Sequence, residues 1–391
     1  MSAMDHVRHL AENIGPRGST TPQETEAAHY AAVVLRKLGY QPTTEAFSSA
    51  RSSYYPYALF TGLFLVGELL FWFAGGWGAA GALILGVVAL GSVLLELAFR
   101  PNPLRWILPK GKSQNVWARI EPGGVAREQV VLLGHLDSHR TPLLFSTDGW
   151  LRLFKTLVPL GLLSAVVLIA LFLVGTFTLT MPLRIATLPF ALVVAVVFVL
   201  TLQADFSPYA AGANDNATGA GIVLSLAERL KAQPLEHTVI WAVLSGCEEV
   251  GCYGADAFAR QHKGELGHAI WIALDSVGGQ GATVGYLTQE TFLLTFKSDP
   301  HLLALAEGIA QRRSDLDACA HSFQGAYTEG TIGAKHGLRV LTFVGFNRGG
   351  RLPGWHRPTD TVENLDSAVL EHSEEFLWEM IGEIDRGEQH G

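Results

Sequence analysis

The sequence predicts an α/β protein with a mostly parallel sheet, attached to four transmembrane α-helices. Short apolar runs alternate with helical segments along the polar parts of the chain, an order typical of a sheet covered by helices on both faces. Two long apolar blocks, at about residues 54–99 and 154–202, interrupt this order. Each block is long enough for two membrane spans of about 20 residues. We therefore expect one water-exposed domain and two membrane-embedded hairpins.

The composition supports a chain that lies partly outside water. Hydrophobic residues make up 49% of the 391 residues, and charged residues make up only 16%. Soluble domains usually contain about 25% charged residues. The formal net charge is −8, with no cluster of Lys and Arg. A nucleic-acid-binding protein needs a basic face to neutralise phosphates, so that class is excluded.

The three cysteines do not form a disulfide framework. Cys247, Cys252 and Cys319 match neither a C-x-x-C pair nor a zinc-finger pattern, and we expect buried, reduced thiols. A Cys247–Cys252 bridge stays open if the domain faces an oxidising compartment. Residues 1–50 are polar and charged and contain no apolar core of a signal peptide, so none is expected.

Each apolar block contains a break that separates two spans. The breaks fall at residues 74–78 (AGGWG) and 176–184 (TFTLTMPLR), and segments 157–175 and 185–203 carry no charge. Four helices that are apolar on every face could not be buried inside a domain of this size. The predicted organisation is an N-terminal helical part of the domain at 1–53, transmembrane hairpins at 54–99 and 154–203, and further domain segments at 100–153 and 204–391.

The charges near the span ends predict the orientation of the chain in the membrane. Two hairpins return the chain to its starting side, so all polar segments face one compartment. Basic residues concentrate on that side, whereas the far side carries Arg184. Because cytoplasmic flanks are enriched in Lys and Arg, the domain is predicted to face the cytoplasm. The basic residues on the domain side are Arg51, Arg100, Arg105, Lys110, Lys112, Arg152 and Lys155.

Two carboxylates lie within the first apolar block. Glu68 falls inside the first predicted span and Glu96 near the end of the second. A carboxylate inside a membrane is costly unless it is paired, so each is a candidate functional residue. We favour a structural interpretation, in which each faces the bundle interior or the interface, because nothing nearby resembles an ion pathway. Arg100 lies four residues after Glu96.

The polar segments predict the strands and helices of the α/β domain. Helical spacing extends over residues 4–38, with a break at 15–17 and a second helix start at Thr21-Pro22. Further helices are predicted at 217–231 and 253–262. Four buried strands are predicted at Gln129–Gly134, Thr238–Ser245, Ala269–Leu274 and Arg339–Gly345.

Acidic and imidazole side chains follow these strands, where α/β sheets bind their ligands. A single histidine in such a place is usually structural, but here many such groups converge on one edge of the sheet. Burying them together is prohibitive without cations. Carboxylates and imidazoles without thiolates suit zinc, manganese or cobalt, of which zinc is the commonest. The candidate residues are His135, Asp137, Asp215, Glu248, Glu249, Asp275 and His356.

The spacing of these residues suggests distinct roles. Asp215 lies in a turn rich in Gly and Ala, where the backbone can come close, and its two oxygens could bridge two metal ions. Glu248 and Glu249 are adjacent, so in an extended segment their side chains diverge. One of them can bind a metal while the other serves as a general base. Asp137 can hold the second ring nitrogen of His135.

Five motifs in this order resemble the M28 peptidases, the zinc aminopeptidase family. They are GHLDS (134–138), GANDNATGAG (212–221), GCEEVGCYGA (246–255), ALDSVG (273–278) and WHRPTDTVENLD (355–366). The resemblance covers the whole polar portion and implies a three-layer zinc-peptidase fold with a mostly parallel, mixed central sheet. It also implies two Zn²⁺ ions per chain and a cis peptide bond after the bridging aspartate, here Asp215–Asn216.

The resemblance assigns each site residue a role. It implies that the first metal is bound by His135, Asp215 and Asp275. The second metal would then be bound by Asp215 again, with Glu249 and His356. Glu248 would be the general base, and Asp137 would complete the catalytic pair. The expected function is a membrane-bound metallo-aminopeptidase that removes N-terminal residues from peptides.

The chain departs from typical members of that family between Asp137 and Asp215. This stretch is usually short, but here it contains the second predicted hairpin. Membrane-embedded members exist, so this departure does not weaken the prediction of the metal site. It affects the expected substrate, because a membrane-facing cleft could admit hydrophobic or lipid-linked peptides. The expected partners are a peptide substrate and the lipid bilayer, and the sequence does not set the oligomeric state.

Other functions and other residues remain open. A glutaminyl cyclase has a similar fold and uses a single zinc, although the DNATG turn matches the aminopeptidases better. A non-catalytic peptide-binding relative would normally lose metal ligands that this chain keeps. A transporter lacks support from the spans. The less certain residues are His139, expected at the surface or behind the metal ligands, and Tyr327, Glu329, Arg348 and Arg351, each as easily structural as substrate-binding.

Overall fold

A computed structural model describes residues 1–387, which form two compact units. The α/β unit contains residues 1–51, 110–139 and the chain from 209 onward, and the helical unit contains residues 52–109 and 140–208. Residues 100–109 and 140–153, assigned to the polar domain from the sequence, cluster with the apolar helices. The predicted domain boundaries stay a prediction.

Helices and strands alternate along the α/β unit, and four long helices make up most of the helical unit. The strands are β1 Thr43–Ala50, β2 Lys110–Ile120, β3 Glu128–His135, β4 Thr238–Ser245, β5 Ile270–Asp275, β6 Val284–Thr291, β7 Thr295–Lys297, β8 Ala318–Gln324 and β9 Arg339–Val344. The helices are α1 Ala3–Arg8, α2 Pro22–Lys37, α3 Tyr55–Phe73, α4 Gly75–Leu97, α5 Asp148–Phe177, α6 Met181–Asp205, α7 Gly219–Ala232, α8 Tyr253–Gln261, α9 Lys263–Leu266, α10 Pro300–Arg312, α11 Glu329–Lys335 and α12 Ser367–Arg386.

The strands form one mixed sheet whose centre is parallel. Within the described residues the order is β1-β2-β4-β3-β5-β9-β6-β7, with β8 paired to β6. Strands β4, β3, β5 and β9 run parallel to their neighbours in this series, whereas β1, β2 and β7 pair antiparallel. The four parallel strands are the four predicted from apolar runs. The α/β fold with a mostly parallel, mixed sheet is confirmed.

The strands missing from the prediction lie toward the edges of the sheet. β1 has a single buried residue among eight, and β7 has none. An edge strand is exposed to solvent on one face and along one edge, so it carries polar residues and few apolar ones that would reveal it in the sequence. The sequence therefore predicted the four parallel strands at the centre of the sheet and missed the strands on either side of them.

Helices cover both faces of the sheet. On one face α1, α2, α7, α10 and α12 share a continuous apolar core with the strands, and this core includes Leu35, Ile222 and Phe376. On the other face α8 and α11 pack on the sheet, with the ring of Phe258 against those of Trp241 and Trp271. This arrangement gives the three layers expected of the fold.

The end of β3 approaches the start of α7 very closely. A Cβ added to Gly134 would lie 2.7 Å from the carbonyl carbon of Gly219 and 2.8 Å from the amide nitrogen of Ala220. Only glycine permits this contact. It brings the residue after Gly134, which is His135, close to the turn that precedes α7.

Arg17 joins three segments of the α/β unit beneath that turn. Its side chain is fully buried and donates hydrogen bonds of 2.6–3.0 Å to five backbone carbonyl groups. These carbonyls belong to Leu10, Gly15, Leu136, Ala211 and Gly212. The guanidinium therefore links the N-terminal helices, the loop after β3 and the turn before α7.

The four helices of the helical unit correspond to the four predicted spans. They contain 19, 23, 30 and 25 residues and are long and apolar enough to cross a membrane. The breaks are shorter than predicted: Ala74 alone separates α3 from α4, and residues 178–180 separate α5 from α6. Phe71, Ala82, Leu168 and other apolar side chains form a core between them.

Both carboxylates of the first apolar block have hydrogen-bond donors. Glu68 is buried and accepts hydrogen bonds from the indole of Trp72 at 2.8 Å and from the Thr187 hydroxyl. Glu96 forms an ion pair with Arg105, rather than with Arg100. These contacts agree with the structural interpretation of both residues.

Replacing Arg17 by methionine is expected to destabilise the α/β unit by at least about 3 kcal/mol. The substitution keeps the buried volume but leaves several carbonyl groups without donors, each costing about 1–3 kcal/mol. The free energy of unfolding can be measured by chemical denaturation in detergent. Arg260→Met is the control, since Arg260 is exposed and forms its ion pair with Asp256 one helical turn away, so its loss should cost under about 0.5 kcal/mol. Equal stability of the two variants would contradict the role given to Arg17.

Candidate metal centre

The structure brings the predicted site residues together at the carboxyl edge of the parallel strands. His135 is the last residue of β3 and Asp275 the last residue of β5. Glu248 and Glu249 follow β4, while His356 lies in the loop after β9. Asp215 lies in the turn before α7. All of these residues belong to the α/β unit.

Asp215 lies between the two histidines and contacts each with a different oxygen. Its Oδ1 is 3.3 Å from His135 Nε2, and its Oδ2 is 3.5 Å from His356 Nε2. His356 Nε2 is also 3.4 Å from Glu249 Oε2. Two ligand atoms that share a tetrahedral zinc ion lie roughly 3.4 Å apart, given bonds of about 2.1 Å. These separations are therefore those expected around metal ions.

Three donor sets have mutual distances short enough for a metal. In each set, one ligand atom per residue lies within 4.8 Å of the others. The first set is His135, Asp215 and Asp275, which is the set that the resemblance to the M28 peptidases implied for the first metal. The other two sets are His135 with Glu248 and Glu249, and Glu249 and His356 with His139.

Burial raises the proton affinity of the acids in this cluster. Burial, with repulsion from Asp215, raises the pKa of Asp275 to about 7. The same two causes raise the pKa of Glu249 well above its usual range. Burial likewise raises the pKa of Glu248, and Asp275 adds to this rise although His135 opposes it. Without a cation, these carboxyl groups would retain protons near neutral pH.

The two imidazoles respond to their surroundings in opposite directions. Burial, together with the nearby His135, lowers the pKa of His356 to about 3. Burial also opposes the charging of His135, but contacts with Asp137 and Asp215 raise its pKa well above the usual range. A neutral imidazole is the form that binds a metal, so His356 is already in its binding form.

The donor set fits divalent metal ions of the zinc type. The buried atoms His135 Nε2 and Glu249 Oε1 have no hydrogen-bond partner among the described residues. Buried polar atoms normally have such a partner, and a metal ion supplies one when nothing else does. Imidazole nitrogen and carboxylate oxygen are ordinary ligands of zinc. The residues predicted to be ligands thus lie together in a candidate metal centre.

Asp137 contacts the metal centre through its neighbours. It is fully buried and accepts hydrogen bonds from the backbone N–H groups of Glu248 at 3.1 Å and Glu249 at 3.2 Å. Ser19 donates a third hydrogen bond at 2.6 Å. The distance from its Oδ1 to His135 Nδ1 is 3.4 Å. Asp137 therefore positions the two glutamates as well as facing the ring of His135.

The two cysteines beside the glutamates are free rather than bridged. Their thiols point to different carboxylates. Cys252 Sγ lies 3.3 Å from Glu248 Oε1, and Cys247 Sγ lies 3.4 Å from Glu24 Oε1. Both are buried, in agreement with the expectation of reduced thiols.

The turn around Asp215 is fixed from several sides. Gly212 has φ +63°, and a Cβ there would lie 2.5 Å from Ser138 Cβ, so a larger residue would not fit. The Asp215–Asn216 peptide bond is cis, as the resemblance implied. Asp360 accepts hydrogen bonds from the backbone N–H groups of Asn214 at 2.6 Å and Asp215 at 3.2 Å.

Asp360 is a part of the site that was not predicted from the sequence. It lies within the last motif, four residues after His356, so the motif itself was a usable signal. His139 was expected at the surface or behind the metal ligands, and the structure agrees with the second: His139 is only 7% exposed and its ring stacks on that of His356.

The remaining candidates have structural contacts. The Tyr327 hydroxyl hydrogen-bonds the backbone of the turn between β6 and β7. Glu329 is buried and accepts a 2.6 Å hydrogen bond from Ser245, and burial raises its pKa to about 7. Arg348 is exposed and pairs with Asp317.

Comparisons with known proteins agree with the fold. The family model described as Peptidase family M28 matches residues 196–381. No curated protein matches the chain. The fold is similar to that of BSAP, a zinc aminopeptidase from Bacillus subtilis, with a TM-score of 0.59, 14% identity and coverage of 98% of this chain and 94% of that one.

Two further solved structures have the same fold. The glutaminyl cyclase of Tannerella forsythia has a TM-score of 0.57 at 15% identity, and the alignment covers 97% of each chain. A leucine aminopeptidase precursor from Bacteroides thetaiotaomicron has a TM-score of 0.57 at 15% identity, with 97% of this chain and 96% of that one covered. Both enzyme classes weighed from the sequence therefore occur on this fold.

Replacing Asp360 by asparagine is expected to weaken zinc binding by about 10- to 100-fold. The amide can accept only one of the two backbone hydrogen bonds that hold the turn of Asp215. The affinity can be measured by competition with a chromogenic chelator. Asp317→Asn is the matched control, since Asp317 pairs with Arg348 at the surface. Unchanged affinity in the Asp360 variant would show that the turn holds its shape without this carboxylate.

Proposed function

We propose that the chain is a membrane-bound, zinc-dependent aminopeptidase, because the family model of the M28 peptidases matches residues 196–381. The family match supports a metallopeptidase-like hydrolase. We further propose that the chain removes N-terminal residues from peptides and binds two Zn²⁺ ions, and this part rests on the geometry of the donor atoms. The observation that supports it most is that Asp215 presents one oxygen to His135 and the other to His356.

We assign the ligands in two groups that share Asp215. His135 and Asp275 complete the first group, and Glu249 and His356 complete the second. When bound, the two zinc ions polarise the scissile carbonyl group and make the attacking water more acidic. The fold shared with BSAP, a zinc aminopeptidase, supports zinc as the metal.

Glu248 is the proposed general base. Its carboxylate is not required by either ligand group, yet one of its oxygens lies within 4.8 Å of donors on His135 and Glu249. The residue is buried, so a proton taken from water is held away from solvent. The same carboxyl group can then pass this proton to the leaving amine. Proton transfer of this kind contributes about 10²- to 10⁴-fold to an enzymatic rate.

Asp137 is the proposed positioning residue for this step. Its two oxygens accept hydrogen bonds from the backbone N–H groups of Glu248 and Glu249. These bonds fix the base and the adjacent ligand relative to each other. The His135 Nδ1 atom lies 3.1 Å from the backbone carbonyl oxygen of Asp137 and 3.4 Å from its Oδ1, and these contacts keep the Nε2 atom directed toward Asp215.

The proposed location is an integral, multi-pass membrane protein whose catalytic domain faces the cytoplasm. The four apolar helices support insertion by their length and composition. The excess of Lys and Arg on the domain side supports the orientation. The proposed partners are a peptide substrate and the lipid bilayer.

Glutaminyl cyclase activity is the second candidate function, favoured by the fold shared with the Tannerella forsythia enzyme. A cyclase requires one zinc, whereas the donors here form two groups that share one carboxylate. The difference in products separates the two activities. An aminopeptidase releases the first residue by adding water, whereas a cyclase closes an N-terminal glutamine and releases ammonia.

Peptides that begin with leucine or glutamine, incubated with the detergent-solubilised chain, are expected to lose their first residue. Mass spectrometry of the products distinguishes this from cyclisation, which removes only ammonia. A control reaction with a chelator should leave the peptides intact. Pyroglutamyl products without a free N-terminal residue would establish the cyclase instead.

Replacing Glu248 by glutamine is expected to lower kcat by about 10²- to 10⁴-fold, since an amide cannot accept the proton. Zinc content should stay the same, because Glu248 belongs to neither ligand group. Hydrolysis of fluorogenic aminoacyl substrates measures kcat, and elemental analysis measures zinc. Glu265→Gln, on the exposed helix α9, is the matched control and should retain full activity. Full activity of the Glu248 variant with its metals bound would rule out this mechanism.

A further inference from the structure

Cys252 is the residue before helix α8, at the end of the short loop that carries the proposed base Glu248. It is only 1% exposed. Its backbone N–H donates a 2.7 Å hydrogen bond to the carbonyl oxygen of Glu248, and the N–H of Gly251 donates a second bond of 2.8 Å to the same oxygen. These two bonds fold the loop back on itself. The position of Cys252 is therefore fixed relative to the base.

The thiol of Cys252 contacts the carboxylate of Glu248. Its Sγ atom lies 3.3 Å from Glu248 Oε1. Burial, together with the negative charges of Glu248 and Glu329, raises the pKa of the thiol well above its usual range. The thiol therefore keeps its proton, whereas an ionised carboxylate can only accept hydrogen bonds. When Glu248 is ionised, as a base must be before it takes a proton, Cys252 is the donor of this hydrogen bond.

The backbone of Cys252 adopts a conformation that residues with a side chain seldom take. Its φ of +53° and ψ of +37° lie in the left-handed region. Asn and Asp occur there more often than other residues with side chains, because they can form local hydrogen bonds. Cys252 makes no capping hydrogen bond to α8, and its thiol is directed to Glu248 instead. A residue held in a costly conformation indicates a use for its side chain.

We propose that Cys252 is a positioning residue for the base Glu248. Its S–H group holds Oε1, so that Oε2 is the oxygen that takes the proton from the attacking water. The last side-chain torsion of a glutamate has a broad energy minimum, so a carboxylate without such a contact can rotate. This inference rests on the proposed function, since it adds a residue that acts through the proposed base.

The main chain and the side chain of Glu248 are then held by different residues. Asp137 accepts a 3.1 Å hydrogen bond from the backbone N–H of Glu248 and so fixes where the residue begins. Cys252 fixes the orientation of the carboxylate at the other end of the side chain. A base that is already oriented does not have to be reorganised when the proton moves, which is the usual benefit of a preorganised site.

The alternative is that the thiol of Cys252 only fills space beside Glu248. Cys252→Ser and Cys252→Ala separate the two explanations, because they differ only by a hydroxyl group, and a hydroxyl group can donate the same hydrogen bond. If the thiol only fills space, the two variants should have the same activity. Cys319→Ala is the matched control, since the Cys319 thiol lies on β8 and contacts Thr283 and His321.

The first experiment measures kcat, KM and zinc content of the zinc-loaded chain in detergent, with a fluorogenic aminoacyl substrate. C252A is expected to lower kcat by about 10- to 100-fold, since a misplacement of about 1 Å can cost 100-fold. KM and zinc content should stay the same, because the proposal places Cys252 on the base and not on a metal ligand. C252S should recover most of the lost kcat, and C319A should match the native chain.

The second experiment measures the S–H stretching bands in the infrared spectra of the zinc-loaded native chain and of E248Q. A hydrogen bond weakens the S–H bond of its donor and lowers the frequency of this band. A charged carboxylate is a stronger acceptor than an amide, so the band of Cys252 should move to higher frequency in E248Q. This comparison keeps Cys252 in place and so covers a variant of that residue that does not fold.

Equal kcat values for C252A and C252S, with zinc retained, would overturn the role of Cys252 and leave the proposed function standing. S–H bands that are the same in the native chain and in E248Q would do so as well. A zinc-loaded native chain that hydrolyses no peptide would overturn both the inference and the proposed function.

Discussion

The repulsion among buried acids around Asp215 is the interaction on which the site depends. Parallel strands end at one edge of the sheet, where Asp275, at the end of β5, and Glu249, in the loop after β4, lie close to this carboxylate. Glu248 lies beside Glu249. Burial raises the pKa of each of the three. Acids arranged in this way remain together either as protonated groups or around cations. The separations of about 3.4 Å between ligand atoms favour cations.

Much of the surrounding structure serves to hold this unfavourable cluster in place. Arg17 joins three segments below the turn, Asp360 accepts hydrogen bonds from two adjacent N–H groups of the turn, and Asp137 accepts them from the N–H groups of the two glutamates. Each of these residues is buried, and most of their hydrogen bonds are with main-chain groups. Rigid loops of this kind keep donors in position before a metal binds, which reduces the cost of assembling the centre.

The sequence predicted the parts of the molecule that depend on local pattern. Strands β3, β4, β5 and β9 each contain a run of buried apolar residues, and the residues after them could be placed at one edge because parallel strands end together. The edge strand β1 was missed because only one of its eight residues is buried. The pairing of Glu96 with Arg105 and the stacking of His139 on His356 depend on how distant segments pack, which no local pattern records. Asp360 could have been predicted as a site residue, because it lies in the last of the five motifs that carry the family resemblance.

The most direct test of the account is the release of protons when zinc binds to the metal-free chain at pH 7. Carboxyl groups with raised pKa values must give up protons to bind the metal, so calorimetry in buffers of different ionisation enthalpy should show more than one proton released per chain. The pKa of about 7 for Asp275 and the raised pKa of Glu249 both predict this release. A binding heat that does not depend on the buffer, or no binding with zinc in excess, would contradict the claim that cations hold these acids together.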